Sequence, residues 1–414
     1  MKKIRIGVFG LGRGSSYFDN ITNNNGEIVA VCERDDKKLK EALDYLGDST
    51  TGYKDFDEFI EHEMDAVFIA NCFHEHTPFV LRALEKDLHV LCECTSNTTM
   101  GEGVQLVRAT KKSKGIYMLA ENYPYMLFNQ EMKKVYEDGT LGKVLFAEGE
   151  YNHPFNFDSQ EEHINLRPYS KHWRNYLPRS YYITHSLAPL MNITGAFPKR
   201  VTAFPCFSPF DEYNIIGSSI ADRAAIITTL NDDDSVFRVT GCAAFGAHGN
   251  SYRICCQNGQ IENLRGMGEK IMLRYNSWQI PEGREEINCY DPEWETVDKE
   301  LAEKAGHGGG DFFVIKEFFD CIRAGRKPVF DEYFATTMAS VAILAHRSIL
   351  EKGMPYDIPD FRNEEDCLKW ENDFTSPFFK KDGSEPDIPC CSKTDYVPDE
   401  EKINNYLKLT GEKE

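Results

Sequence analysis

A run near the start of the chain, Gly10-Leu11-Gly12-Arg13-Gly14-Ser15, has the residue types to cradle a phosphate. Gly10 permits a tight turn, and Gly12 leaves backbone amides open to a pyrophosphate at the start of the following helix. Ser15 stands where a third glycine is usual and is small enough for close helix–strand packing. Roughly twenty residues on, Glu33 ends a second apolar run, the usual place of the acid that holds the adenine ribose hydroxyls. Arg34 would suit a 2′-phosphate, but Glu33, Asp35 and Asp36 would repel one, so NAD is expected rather than NADP. The bland alternative, a glycine turn in a non-binding protein, leaves the spacing to Glu33 unexplained.

Around this turn the chain alternates apolar runs with amphipathic stretches. Ile4–Phe9, Glu27–Cys32, Ala66–Ala70, His89–Cys92 and Ile116–Ala120 are expected as strands. Ser16–Asn23, Lys37–Leu46, Phe56–His62, Pro78–Lys86 and Gly101–Ser113 between them are expected as helices. That alternation predicts a doubly wound parallel sheet of α/β class over residues 1–124. A helix at Leu127–Asp138 then leads to strands at Val144–Tyr151, Arg200–Phe204, Ala224–Leu230, Val236–Ala244 and Tyr252–Cys256. Strands in succession predict a large, mainly antiparallel open sheet within a second α/β domain, residues 125–361, with late helices at Asp311–Ala324 and Glu332–Glu351. The polar remainder, 362–414, is expected as an arm over the surface.

Bulk properties narrow the classes of function. At 414 residues the chain exceeds what one core usually supports, which favours two domains. A formal net charge of −20, with no dense Lys/Arg run, argues against nucleic acid and anionic membranes as partners. The odd cysteine count of 13, with adjacent pairs at Cys255–Cys256 and Cys390–Cys391, fits reduced thiols in a cytoplasmic protein. No paired Cys-x-x-Cys knuckle occurs, so no metal is expected. The apolar stretch after Met1 ends at Gly10, too short for a secretory signal, and no stretch is long enough to span a membrane.

Asp65-Ala66-Val67-Phe68-Ile69-Ala70, Asn71-Cys72-Phe73-His74-Glu75-His76-Thr77-Pro78, His89-Val90-Leu91-Cys92-Glu93 and Glu121-Asn122 together closely resemble the glucose–fructose oxidoreductase / inositol dehydrogenase (Gfo/Idh/MocA) family. The resemblance continues through Gly139-Thr140-Leu141-Gly142-Lys143 and Asp311-Phe312-Phe313 to Ile358-Pro359-Asp360-Phe361. It implies a Rossmann domain plus an open-sheet α/β domain, NAD-dependent chemistry on sugars and a homo-oligomer. It also implies that Asn71, His74, His76, Glu93 and Asn122 line the nicotinamide side of the cofactor site, with Cys94 beside them. One departure matters. Family dehydrogenases usually carry Glu-Lys-Pro where this chain has Glu93-Cys94-Thr95, and an aspartate where Tyr181 stands four residues before His185. A thiol cannot replace an ammonium group beside a developing alkoxide; the bland role for Cys94 is to fill the lysine's space.

The altered set resembles a narrower branch, the NAD-dependent glycoside hydrolases and related glycoside 3-dehydrogenases. The matching features are Tyr181-Tyr182-Ile183-Thr184-His185, Tyr151-Asn152-His153, Trp173-Arg174 and Gly306-His307-Gly308-Gly309. Histidine suits a base at neutral pH, so His185 is the expected base, with Tyr182 three residues earlier as its proton relay. A backbone-bonded histidine and a core tyrosine are the bland alternatives. His153 and His307 are expected to bind sugar hydroxyls, Trp173 to offer a flat platform, and Arg174 to donate to the sugar or the cofactor. Tyr123, Phe155 and Phe157 would admit a flat aglycone, and His163 and His172 border the pocket.

Three readings stay open. The first is a dehydrogenase that oxidises a sugar or glycoside hydroxyl at C3. A complete NAD-dependent glycosidase needs the same oxidation followed by elimination. The third is a non-catalytic NAD-binding sensor.

Overall fold

The computed structural model describes residues 2–154, 165–208, 221–397 and 399–412. Phe155, Phe157 and His163, named above, lie outside the described residues.

Six short strands form the first sheet: β1 (Ile4–Phe9), β2 (Gly26–Cys32), β3 (Thr51–Tyr53), β4 (Ala66–Ile69), β5 (His89–Cys92) and β6 (Tyr117–Leu119). Their order is β3-β2-β1-β4-β5-β6, and every pairing is parallel. Ile6, Val8, Val67, Phe68, Leu91 and Cys92 are buried because helices cover both faces, which is why these strands read as continuous apolar runs. The expected helix over Ser16–Asn23 divides into a 3-10 turn at Gly14–Tyr17 and an α-helix at Phe18–Asn23. The helix expected over Phe56–His62 ends at Phe59.

Nine strands form the second sheet: β7 (Val144–Asn152), β8 (Pro198–Phe207), β9 (Asp222–Asn231), β10 (Val236–Ala243), β11 (Gly249–Cys256), β12 (Gly259–Asn263), β13 (Ile271–Tyr275), β14 (Ile287–Tyr290) and β15 (Tyr356–Asp357). The order is β14-β13-β12-β11-β7-β10-β9-β8-β15, antiparallel throughout except for β7 against β10. The whole is an α/β protein of one parallel and one mainly antiparallel sheet.

Helix Thr184–Thr194 packs on β7 and carries the candidate base. Its existence is hard to read in the sequence because Pro189 sits inside it. Pro189 has no N–H to give the carbonyl of His185, one turn back. The Tyr252 hydroxyl on β11 takes that carbonyl instead, at 2.5 Å.

The segment after Arg362 is more than a surface arm. It forms helices at Glu364–Trp370 and Glu400–Thr410 and buries Cys367, Phe378, Cys390, Cys391 and Tyr406. The apolar side chains spaced through its polar sequence supply the reason. No helix among the described residues is long and apolar enough to cross a membrane.

Candidate active site

The ends of β1, β5 and β6 converge on one region, the carboxyl edge where open α/β sheets place their ligands. Gly10 takes φ +88°, and a Cβ there would come within 2.5 Å of the Ala70 carbonyl oxygen, so only glycine lets β1 turn beside β4. A Cβ on Gly12 would meet nothing, which leaves that side of the turn open for a ligand. Glu33 closes the turn from below: its carboxylate accepts the Leu11 N–H at 2.9 Å and the Arg34 N–H at 2.8 Å. Arg34 itself is exposed.

Arg13 links this turn to the rest of the site. It donates to Glu93 (3.3 Å) and Asp311 (2.8 Å) and lies 3.4 Å from His307 Nδ1. Asp311 also accepts from Asn122 Nδ2 at 2.7 Å and contacts His307 Nδ1 at 3.0 Å. Burial opposes the charge on Asp311, but His307 and Arg13 outweigh it and hold the carboxyl well below the usual range. Burial pushes Glu93 the other way, upward, despite Arg13 and the Cys94 N–H.

The centre of the site is a hydrogen-bonded chain of buried side chains. Glu121, fully buried just after β6, accepts from His185 Nδ1 at 2.8 Å. This contact places the imidazole proton on Nδ1 and leaves Nε2 free to accept. Nε2 lies 3.1 Å from the Tyr182 hydroxyl. Burial raises the Tyr182 pKa well above that of a free phenol, so the hydroxyl stays protonated and donates to Nε2. The Tyr123 ring stacks on His185 with centroids 3.9 Å apart, and Tyr151 meets it edge-on at 4.9 Å. Burial also opposes ionisation of Glu121, yet His185, Thr184 and Cys94 together keep its pKa below the ordinary value.

Cys94 lines this centre. Its thiol donates to Glu121 Oε2 at 3.1 Å, and burial beside Glu121 and Glu93 raises its pKa well above that of a free thiol. The raised pKa keeps the thiol in its neutral form, as a donor to Glu121. Tyr181, in the position of the family's aspartate, points away into the core, where it meets Phe378 and His346.

A cavity of about 150 Å³ opens at this centre, lined in part by Arg13, Asn71, Glu93, Cys94, Arg174 and Tyr182. Trp173 also lines it but is already stacked on Phe73 (5.3 Å, 12°), with the Arg174 guanidinium 4.3 Å over its ring. His76 is pinned by the Thr95 carbonyl at 2.7 Å, while His74 packs against Phe378. His153 lies beside Tyr151 and 4.9 Å from His248, near the hydrogen-bonded chain. His307 stands with Arg13 and Asp311, and its ring lies 6.0 Å from that of Tyr123. A larger depression of about 560 Å³ lies on the second sheet, where Glu148 pairs with Arg238 and Arg253 and the charges satisfy one another.

The fit to a dinucleotide can be tested on this geometry. Asn71 Oδ1 and Asn122 Oδ1 are buried without a hydrogen-bond partner among the described residues, the condition of groups awaiting a ligand. With the open face of Gly12 and the fixed carboxylate of Glu33, the residues present suit NAD.

Comparison with known proteins agrees. Residues 4–121 match the Gfo/Idh/MocA description "Oxidoreductase family, NAD-binding Rossmann fold". Over these residues the chain is similar to the Gfo/Idh/MocA oxidoreductases. Its cofactor is NAD. Residues 252–367 match the glycosyl hydrolase 109 C-terminal domain. A glycosyl hydrolase family 109 protein of Shewanella baltica is 23% identical over 410 residues, covering 87% of this chain and 85% of the relative. One from Saccharopolyspora erythraea is 25% identical over 403 residues, covering 86% and 83%. Among solved structures, levoglucosan dehydrogenase with NADH and L-sorbose aligns with a TM-score of 0.74 at 18% identity, covering 87% of this chain and 100% of that one. The myo-inositol 2-dehydrogenase of Lactobacillus plantarum aligns at 0.64 and 17%, covering 86% and 100%. At such identities the two structures establish a shared fold.

Two residues of this site escaped the sequence reading. Glu121 and Asp311 stood in family-like runs without a role. For Glu121 a signal existed: a carboxylate directly after the apolar strand Tyr117–Leu119 of a parallel sheet sits at the ligand edge. For Asp311 there was none, since its partners come from Arg13, Asn122 and His307.

Proposed function

We propose that the chain oxidises a sugar or glycoside hydroxyl, at C3, to a keto sugar with NAD as acceptor. One observation carries the reading: the hydrogen-bonded path Glu121–His185–Tyr182 ends at the cavity lined by Arg13, Asn71 and Glu93. When bound, NAD would supply the two-electron acceptor, and Gly10, Leu11, Gly12, Arg13, Gly14, Glu33, Asn71 and Asn122 would hold it. Oxidising a carbinol also requires its O–H proton to leave as the C–H electron pair departs. Tyr182 takes that proton while passing its own to His185 Nε2, and Glu121 balances the imidazolium that forms. The stacked Tyr123 ring adds cation–π support for that charge. Family dehydrogenases assign this work to a lysine; here a histidine–tyrosine pair does it, and Cys94 occupies the vacated volume.

A second reading, complete glycoside hydrolysis by oxidation, elimination and return of the hydride, is favoured by the glycosyl hydrolase 109 match over residues 252–367. Tyr151 and His153, close to His185, would then supply the groups needed for the C2 proton and the leaving group. By family analogy the protein is a homo-oligomer acting in the cytoplasm on a small-molecule substrate.

The test is anaerobic incubation with a panel of 4-nitrophenyl and alkyl glycosides, with and without added NAD, followed by absorbance and mass spectrometry. A product two mass units lighter with NADH formed supports the dehydrogenase. Free sugar and aglycone without net NADH supports the glycosidase. Tight NAD binding with no product from any glycoside would overturn both and leave a sensor.

A further inference from the structure

We propose that the C-terminal extension positions the wall of the cavity that carries Trp173 and Arg174, with Tyr406 as the positioning residue. This wall needs outside help. Trp173–Asn175 is a single 3-10 turn belonging to neither sheet, and one turn does not hold its own geometry in water.

The help comes from the far end of the chain. Tyr406, on helix Glu400–Thr410, is buried; its hydroxyl donates to the Arg167 carbonyl at 2.8 Å and accepts from Asn175 Nδ2 at 3.1 Å. Asn175 is fully buried next to Arg174, and the same amide also reaches the carbonyls of Tyr169 (3.2 Å) and Ser170 (3.0 Å). One phenol therefore ties both ends of the loop to a single point. Glu412 secures the loop again, accepting from Ser170 N at 2.7 Å and Oγ at 2.6 Å. The preceding stretch adds the Phe379 ring, which meets Tyr176 edge-on at 4.7 Å and carries the Lys171 ammonium at 4.6 Å.

The extension is in turn fixed to the body of the protein. His346 Nε2 donates to the Pro389 carbonyl at 2.7 Å, Asp222 receives Ser392 N at 2.8 Å and Oγ at 2.6 Å, and Arg347 grips Asp373 at 2.6 and 2.8 Å. Contacts from helix Glu332–Leu350 and β9 thus pass through the extension to the loop. The loop then presents Trp173 against Phe73 and Arg174 to the cavity shared with Tyr182. Such a wall selects and orients substrate, whereas the proton path lies on other elements.

The test uses the full chain carrying Tyr406→Phe, which deletes the hydroxyl and keeps the ring, and Glu412→Gln, which loosens the loop from its other tether. Tyr45→Phe, at an exposed tyrosine bonded to Asp19, is the control. Hydrogen exchange read by mass spectrometry should show faster exchange over residues 165–177 in both variants and unchanged exchange over β1–β6. For the first 4-nitrophenyl glycoside that the parent chain oxidises, KM should rise about 5-fold or more in Tyr406→Phe while kcat stays within about 2-fold. The KM arm rests on the proposed function and the exchange arm does not. A silent glycoside panel with the exchange change present therefore faults only that function. Unchanged exchange over 165–177 in both folded variants, or a fall in kcat with KM unmoved, overturns the positioning role.

Discussion

Gly149 on β7 lies directly under Ser186: a Cβ at Gly149 would come within 2.0 Å of the Ser186 carbonyl oxygen. The close approach seats helix Thr184–Thr194 on the sheet and sets the height of His185, the residue before Ser186. Gly149→Ala must lift the helix or strain the strand, at about 1–3 kcal/mol of stability. The expected outcome is a lower denaturation midpoint together with a loss of NADH formation larger than the unfolded fraction explains. A variant of full activity would show that the proton path does not depend on this seat.

Glu121 fixes the imidazole tautomer, as the buried carboxylate does in a catalytic triad. Glu121→Gln can turn its amide toward Nδ1, which would place the ring proton on Nε2 and block acceptance from Tyr182. Turnover should fall on the order of 10²–10⁴-fold, with the NADH dissociation constant little changed. Rapid mixing with a reactive glycoside and a fluorescence titration of NADH separate the two effects. Loss of cofactor binding in parallel with turnover would instead make Glu121 a structural residue.

Glu33 holds the Leu11 amide at the glycine turn. The parent chain should bind NADH more tightly than NADPH by about 10-fold or more, since a 2′-phosphate would stand against this carboxylate. Glu33→Ser should weaken NADH and narrow the ratio. Fluorescence titrations with both dinucleotides decide it, and equal affinity in the parent chain would remove Glu33 from this role.

Acid should weaken the fold in part through buried histidines. Burial lowers the pKa of His346 to about 4, and burial beside His76 and Lys381 lowers that of His74 to about 4 as well. Both are neutral when folded and take up a proton near pH 6.5 when unfolded. Their contribution is therefore fully present above pH ~6.5 and declines as pH falls towards 4, by up to about 1.4 kcal/mol per pH unit for each histidine. His346→Gln keeps a donor for the Pro389 carbonyl and removes one of these protons. Urea midpoints at pH 7 and pH 5 should differ less in this variant than in the parent; identical differences would exclude His346 as a contributor.

Much of the first sheet was legible without any structure. β1, β4 and β5 are apolar in unbroken runs because parallel strands are covered on both faces, and Gly10 and Glu33 announce their tasks by type and spacing. Each signal is local, set by which side chains a strand or a turn tolerates. His185 and Tyr182 were singled out through resemblance to a family branch, and the fold sets His185 Nε2 3.1 Å from the Tyr182 hydroxyl.

Tertiary structure alone decided what those residues face. Glu121 and His185 are 64 positions apart, and Arg13 and Asp311 are 298 apart. No periodicity encodes such pairs, because they depend on how the ends of β5 and β6 meet helix Thr184–Thr194 across the two sheets. The extension shows the same limit. Its polar composition suggested an arm, yet Tyr406 is buried, because its hydroxyl finds partners in Asn175 and Arg167 that only the folded chain brings within reach.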